Sequence, residues 1–294
     1  MTKFIGTGVA LITPFKADLS IDFEALERLV EHNINNGTEY LVISGTTGES
    51  VTVTAEEKKM LVEFISKVNN GRVPLVLGIG GNNTASIISE INNTDLSSID
   101  AILSVSPYYS KPTQEGIYQH FKAIAEVSPK PIILYNVPGR TSSNVLPETT
   151  IRLANDFKNI IAVKEAGNNV HQYLELLRTK PDDFLVLSGD DDLALGVALA
   201  GGSGVISVIG QALPKEFSEM IRLGIAGKAK EAYKTHFDLM PITRLIFSEN
   251  NPAGIKAVLE ALNISESHVR LPLVEATDKL KNDIKSALKD LGKS

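Results

Sequence analysis

Lys164 stands in the run Ile160-Ile161-Ala162-Val163-Lys164-Glu165-Ala166, so a cation falls at the end of an otherwise apolar stretch. A lysine there is costly unless it is used. Desolvation disfavours an ammonium and can lower a lysine pKa by several units, leaving a neutral amine able to attack a carbonyl and form a Schiff base. The structural alternative is a half-buried ion pair with a carboxylate such as Glu165. An upstream run, Pro131-Ile132-Ile133-Leu134-Tyr135-Asn136-Val137-Pro138-Gly139-Arg140-Thr141, also ends in polar groups. Together the two runs point to a carbonyl-condensing enzyme.

Such an enzyme must shuttle protons through carbinolamine, imine and enamine. Histidines are the usual carriers, but His32, His120, His171, His236 and His268 all lie within or beside helical segments, leaving Tyr135 at a strand exit. A phenol is a poor base at neutral pH and needs hydroxyl partners and a cation nearby. Thr46, Tyr109 and Arg140 are candidates for these parts; the plainer role for Tyr135 is an aromatic barrel lining. Gly45-Thr46-Thr47-Gly48-Glu49-Ser50 combines glycines, which let backbone amides converge on an anion, with two adjacent hydroxyls. An ordinary helix-capping loop is its alternative.

These residues need a scaffold. Apolar, β-branched stretches recur at 9–13, 40–44, 74–80, 101–105, 131–136, 160–165, 184–188 and 204–209, with helical periodicity between most of them, as in Phe23, Leu26, Leu29, Val30 and Ile34. Near-continuous apolar strands alternating with amphipathic helices predict a parallel sheet covered by helices. Eight units of roughly 25 to 30 residues predict an α/β fold of the (β/α)8 TIM barrel type. The rest reads as helical, with one stripe through Leu223, Ala226, Ala229, Ala232, His236, Leu239 and Ile242 and others at 255–262 and 280–291. The expected division is a catalytic barrel over 1–225 and a C-terminal helical extension over 226–294, packed on it.

Other motifs argue for less. Gly78-Ile79-Gly80-Gly81-Asn82-Asn83 has asparagine where a dinucleotide loop needs its third glycine, which argues against a nicotinamide cofactor. Asp190, Asp191 and Asp192 are consecutive and point different ways, so a solvated helix start is expected there rather than a metal site. Gly201-Gly202-Ser203-Gly204 reads as a turn on the bottom face of the barrel. No cofactor and no metal are expected. With no cysteine among 294 residues, thiolate nucleophiles and disulfides are excluded. A formal charge of −6 offers no basic stripe for nucleic acid. No apolar run is long enough for a membrane span, and the N-terminal residues lack a signal-peptide pattern, so a cytoplasmic location is expected.

Seven motifs in order carry a resemblance: Gly45 to Ser50, Ser106-Pro107-Tyr108-Tyr109, Tyr135 to Thr141, Val163-Lys164-Glu165-Ala166, Ser188-Gly189-Asp190, Gly204-Val205-Ile206-Ser207 and Arg270-Leu271-Pro272-Leu273. With these the chain closely resembles the dihydrodipicolinate synthase family over essentially its whole length. The resemblance implies that pyruvate forms a Schiff base with Lys164, its carboxylate near Thr47 and the backbone of Ile206, with Gly189 also at the substrate. The enamine then attacks L-aspartate 4-semialdehyde, whose carboxylate Arg140 would bind, giving 4-hydroxy-tetrahydrodipicolinate for lysine and diaminopimelate biosynthesis. Tyr135, Thr46 and Tyr109 would form the proton relay, Tyr109 reaching in from a neighbouring subunit of a homodimer or homotetramer. Two adjacent tyrosines between Pro107 and Pro112 are the kind of surface usually buried against a partner. The lysine-inhibited members hold the inhibitor with residues matching Ser50, Val51, Ala55, Lys58, Gly80, Asn82, Ser86 and Tyr108. Here Ser86 replaces a glutamate, and Ala55 and Lys58 replace histidines, so that pocket is expected to be degenerate. Gly254, where the family often has a second proline, is expected to lie outside the chemistry. N-acetylneuraminate lyases and keto-acid aldolases share the barrel and the lysine, but the lyases carry Ser-Thr in place of Thr46-Thr47 and lack the matching arginine. A non-catalytic binder that kept the fold is opposed by the joint presence of Lys164, Tyr135, Thr46, Tyr109 and Arg140.

Overall fold

A computed structural model describes residues 2–293. Eight parallel strands form a closed barrel in chain order: β1 (Gly6–Ala10), β2 (Tyr40–Ile43), β3 (Leu75–Gly78), β4 (Ala101–Val105), β5 (Ile132–Asn136), β6 (Ile160–Glu165), β7 (Leu185–Ser188) and β8 (Gly204–Ser207). Along β5, Ile132 and Leu134 face the helices while Ile133 and Tyr135 join the cluster that fills the barrel, with Leu103, Leu187 and Ile206. This two-sided burial is why these strands read as continuous apolar runs.

The barrel helices are α1 (Phe23–Asn35), α2 (Ala55–Asn69), α3 (Thr84–Asn93), α4 (Gln114–Val127), a short α5 (Pro138–Thr141), α6 (Pro147–Asp156), α7 (Val170–Thr179), α8 (Ala194–Leu199) and α9 (Pro214–Ile225). Their starts are written locally. Asp22, Asn83, Thr113 and Asn169 cap helices by accepting an N–H of the first turn, and Thr54 with Glu57 forms a reciprocal capping box. Three further helices follow: α10 (Ala229–Ser248), α11 (Ala253–Ala261) and α12 (Asp278–Asp290). Ile242, Ile246, Ile255 and Val258 share one apolar core with Leu11 and Phe15. No helix among the described residues is long and apolar enough to cross a membrane.

Two expectations change. The stripe expected through Leu223 to Ile242 belongs to two helices, because the chain breaks at Gly227, which takes φ +73°. The first strand begins at Gly6 rather than Val9 and ends at Ala10. Its small residues are required by packing: a Cβ on Gly8 would sit 2.0 Å from the Tyr40 ring, and one on Gly204 of β8 would sit 1.9 Å from the Gly6 carbonyl oxygen. Past Ala10 the Ile12 N–H turns to the Gln211 side chain (2.9 Å) instead of a strand partner.

Candidate active site

β5 and β6 pair in register with Tyr135 opposite Lys164 and Asn136 opposite Glu165. Because successive strand residues face opposite sides, Lys164 turns to the barrel mouth and Glu165 away from it. Lys164 is 5 % exposed, and its Nζ lies 4.3 Å from the centroid of the Tyr135 ring. The expected alternative of a Lys164–Glu165 ion pair is therefore absent. Glu165 accepts instead from Asn136 Nδ2, Gln172 Nε2 and the Gly167 N–H, each at 2.8 Å, and burial raises its carboxyl above the usual range. This polar network braces the strand ends behind Lys164 and Tyr135. Gly189 gives the lysine its passage: a Cβ there would come within 2.8 Å of Lys164 Cε.

The loop after β2 approaches from across the barrel. Ser44 (φ +54°) and Glu49 (φ +53°) bracket it in left-handed conformations, and Thr13 Oγ1 donates to the Gly48 carbonyl at 2.7 Å. β3 can pass beneath only at Gly78, where a Cβ would stand 2.2 Å from the Ser44 oxygen. Thr46 and Tyr135 share the lining of a cavity of about 510 Å³. Thr47 is buried and accepts from Asn251 Nδ2 at 2.9 Å. Arg140 lies exposed on α5 with Nη2 3.5 Å from the Asn251 carbonyl oxygen. Ile206 is fully buried on β8 inside the barrel. Among the described residues no group of three or more His, Asp or Glu side chains is placed to hold a metal ion.

The Dihydrodipicolinate synthetase family model matches residues 3–291. This chain belongs to that family. It is 56% identical over 293 residues to the 4-hydroxy-tetrahydrodipicolinate synthase of Flavobacterium psychrophilum, all of both chains being covered. The crystal structure of dihydrodipicolinate synthase from Thermotoga maritima, 39% identical, superposes with a TM-score of 0.97, covering 99% of this chain and 100% of that one. The chloride-inhibited enzyme from Acinetobacter baumannii, solved in complex with pyruvate, is 38% identical with a TM-score of 0.95, covering 99% of each.

Against the family pattern, the fold gathers Lys164, Tyr135, Gly189 and Ile206 at the barrel mouth, with Thr46 and Thr47 on the facing loop. Tyr109 is not gathered: it stands 89 % exposed, at φ +70°, outside the cavity lined by Thr46 and Tyr135. Ser50, Val51, Ala55, Lys58, Gly80 and Tyr108 line that same cavity, and Asn82 Nδ2 donates to the Tyr108 carbonyl at 3.3 Å. Ser86 lies instead in a groove of about 1120 Å³ shared by α2 and α3.

Three features escaped sequence reasoning. Asp191 is no solvated helix start: it is 2 % exposed and accepts from the N–H groups of Val208 and Ile209, tying the β7 exit to the β8 exit, and burial pushes its carboxyl up to about 6. Lys256 of α11 is fully buried against Glu49 of the β2 loop at 2.5 Å, and burial pushes its ammonium down to about 8 despite that partner. Asn251, three residues before Gly254, touches both Thr47 and Arg140. Gly254 nearby is required by packing: a Cβ there would lie 2.3 Å from the Ile246 carbonyl oxygen.

Proposed function

We infer that this chain condenses pyruvate with L-aspartate 4-semialdehyde through a Schiff base on Lys164, giving 4-hydroxy-tetrahydrodipicolinate. The observation that carries the reading is the buried Lys164 amine beside Tyr135 at the mouth of a parallel barrel, where such folds place their chemistry. The amine adds to the pyruvate ketone and water leaves to form the imine. Loss of a methyl proton gives the enamine, whose carbon attacks the aldehyde of the second substrate. The amino group of that substrate then displaces Lys164 from the imine carbon and closes the ring, so one water is lost overall and the new hydroxyl is kept. Tyr135 and Thr46 carry protons, Thr47 and the Ile206 backbone hold the pyruvate carboxylate beside Gly189, and Arg140 takes the carboxylate of the semialdehyde. The exposure of Tyr109 supports its completing the relay in a second copy of the chain, within a homodimer or homotetramer.

Intact-mass spectrometry after borohydride reduction with pyruvate, followed by product assays with aspartate semialdehyde and with N-acetylneuraminate, tests the reading. A trapped adduct with turnover of N-acetylneuraminate alone would move the chain to the lyase reaction. Tyr135→Phe removes one hydroxyl from a ring held by Ile133, Leu103 and Ile206. The thermal midpoint should stay near that of the wild type while turnover falls about 100-fold or more, as for a positioned acid–base group. Wild-type turnover in Tyr135→Phe would remove it from the relay.

Feedback by L-lysine is expected to be weak or absent. Ser86 offers no carboxylate to a bound ammonium and lines a groove next to the cavity of Tyr108, Ala55 and Lys58 bordering both. Lys58 itself does not act as a free repelling charge: its Nζ donates to the Gly78 carbonyl at 2.6 Å and pairs with Glu90. Losing one charge-assisted hydrogen bond weakens binding about tenfold or more. An L-lysine titration of the purified enzyme checks this, and half-inhibition at submillimolar concentration would contradict it.

A further inference from the structure

The loop that bears Thr46 and Thr47 is held from outside the barrel at two points. At the first, Asn251, 5 % exposed between α10 and α11, donates from Nδ2 to Thr47 Oγ1 at 2.9 Å. At the second, Glu49 of the same loop accepts from Lys256 Nζ at 2.5 Å, both of these side chains being fully buried, and from the Arg270 N–H at 2.9 Å. Lys256 also donates to the His268 carbonyl at 2.7 Å, and Arg270 closes a bidentate pair on Glu57. Lys256 and Arg270 each lie 4.3 Å from the centroid of the Phe15 ring. Residues 251–270 therefore grip the β2 loop at Thr47 and at Glu49, two residues apart.

We propose that Asn251 is a positioning residue for the pyruvate carboxylate, acting through the Thr47 hydroxyl. The proposal rests on the functional reading above and adds a residue to it. A threonine hydroxyl rotates freely and can donate or accept. Once its oxygen accepts a fixed amide N–H, its own hydrogen must point elsewhere, and among the described residues Thr47 Oγ1 donates to no protein group. That hydrogen is thus set to meet an anion. The other end of the amide, Asn251 Oδ1, is buried and takes no hydrogen bond in the protein. The Asn251 backbone carbonyl faces Arg140, so substitution of the side chain leaves that contact in place.

The test is the pyruvate dependence of borohydride trapping together with steady-state kinetics, in the full-length enzyme. Asn251→Ala should raise half-saturating pyruvate about tenfold, the loss expected for one neutral hydrogen bond, and leave the half-saturating semialdehyde concentration unchanged. In a Thr47→Val background, which lacks the hydroxyl, Asn251→Ala should add nothing further. Asn251→Asp keeps the size of the side chain but sets a carboxylate beside the substrate's own, and should weaken pyruvate more than the alanine does. This second variant keeps the question decidable if the alanine variant does not fold. Normal pyruvate dependence in either variant, or losses that multiply in the Thr47→Val background, would overturn the assignment while trapping at Lys164 in the wild type stands. A wild type that traps no pyruvate would overturn the functional reading and this assignment with it.

Discussion

Lys164→Ala is expected to abolish borohydride trapping of pyruvate and to reduce condensation to background, with a fold that melts close to the wild type. The expectation follows from a contrast between the two lysines buried among the described residues. Lys256 is fully buried, but its ammonium is committed to Glu49 and the His268 carbonyl, outside the barrel. Lys164 is 5 % exposed at the barrel mouth and faces only the Tyr135 ring, so its lone pair can reach a bound carbonyl once the proton is lost. Every other described lysine is more exposed. Truncation removes a side chain that passes beside Gly189, leaving the strand pairing of β6 untouched. A mass adduct that survives in Lys164→Ala would place the Schiff base on another residue and sink the proposed mechanism.

Lys256→Met should destabilise the fold by about 3–5 kcal/mol, because breaking a buried ion pair on one side strands the other charge. Glu49 would keep the Arg270 N–H but lose its counter-ion in a site with no exposed side-chain surface. Removing both charges at once, in Glu49→Gln with Lys256→Met, should recover most of that loss. Burial already pushes the Lys256 ammonium down to about 8, so desolvation outweighs the attraction of Glu49 and the intact pair contributes little net stability. Urea denaturation of the two variants measures the difference. A single variant as stable as the wild type would show that Glu49 is not held as a buried charge. Because the pair anchors the loop that bears Thr47, the double variant should also show weakened pyruvate trapping even where its stability returns.

The sequence by itself determined the fold and put Lys164 and Tyr135 forward as candidates. β4 and β6 have the bounds that their apolar runs gave, because strands buried on both faces need apolar residues at every position. Lys164 and Tyr135 stood out because a polar group at the end of such a run is costly unless it is paired or used. What the sequence could not decide was which groups meet across the chain. Asp191 looked solvated beside Asp190 and Asp192, yet the β8 exit folds back to bury it under the Val208 and Ile209 amides. Lys256 and Glu49 are separated by most of the barrel in sequence, and nothing local to either states that the other supplies its counter-ion. Asn251 lies beyond every strand exit, where a search by strand ends does not look. Local pattern reports what one segment must bury, whereas these contacts depend on where the C-terminal helices close over the β2 loop, and only the packed tertiary structure sets that.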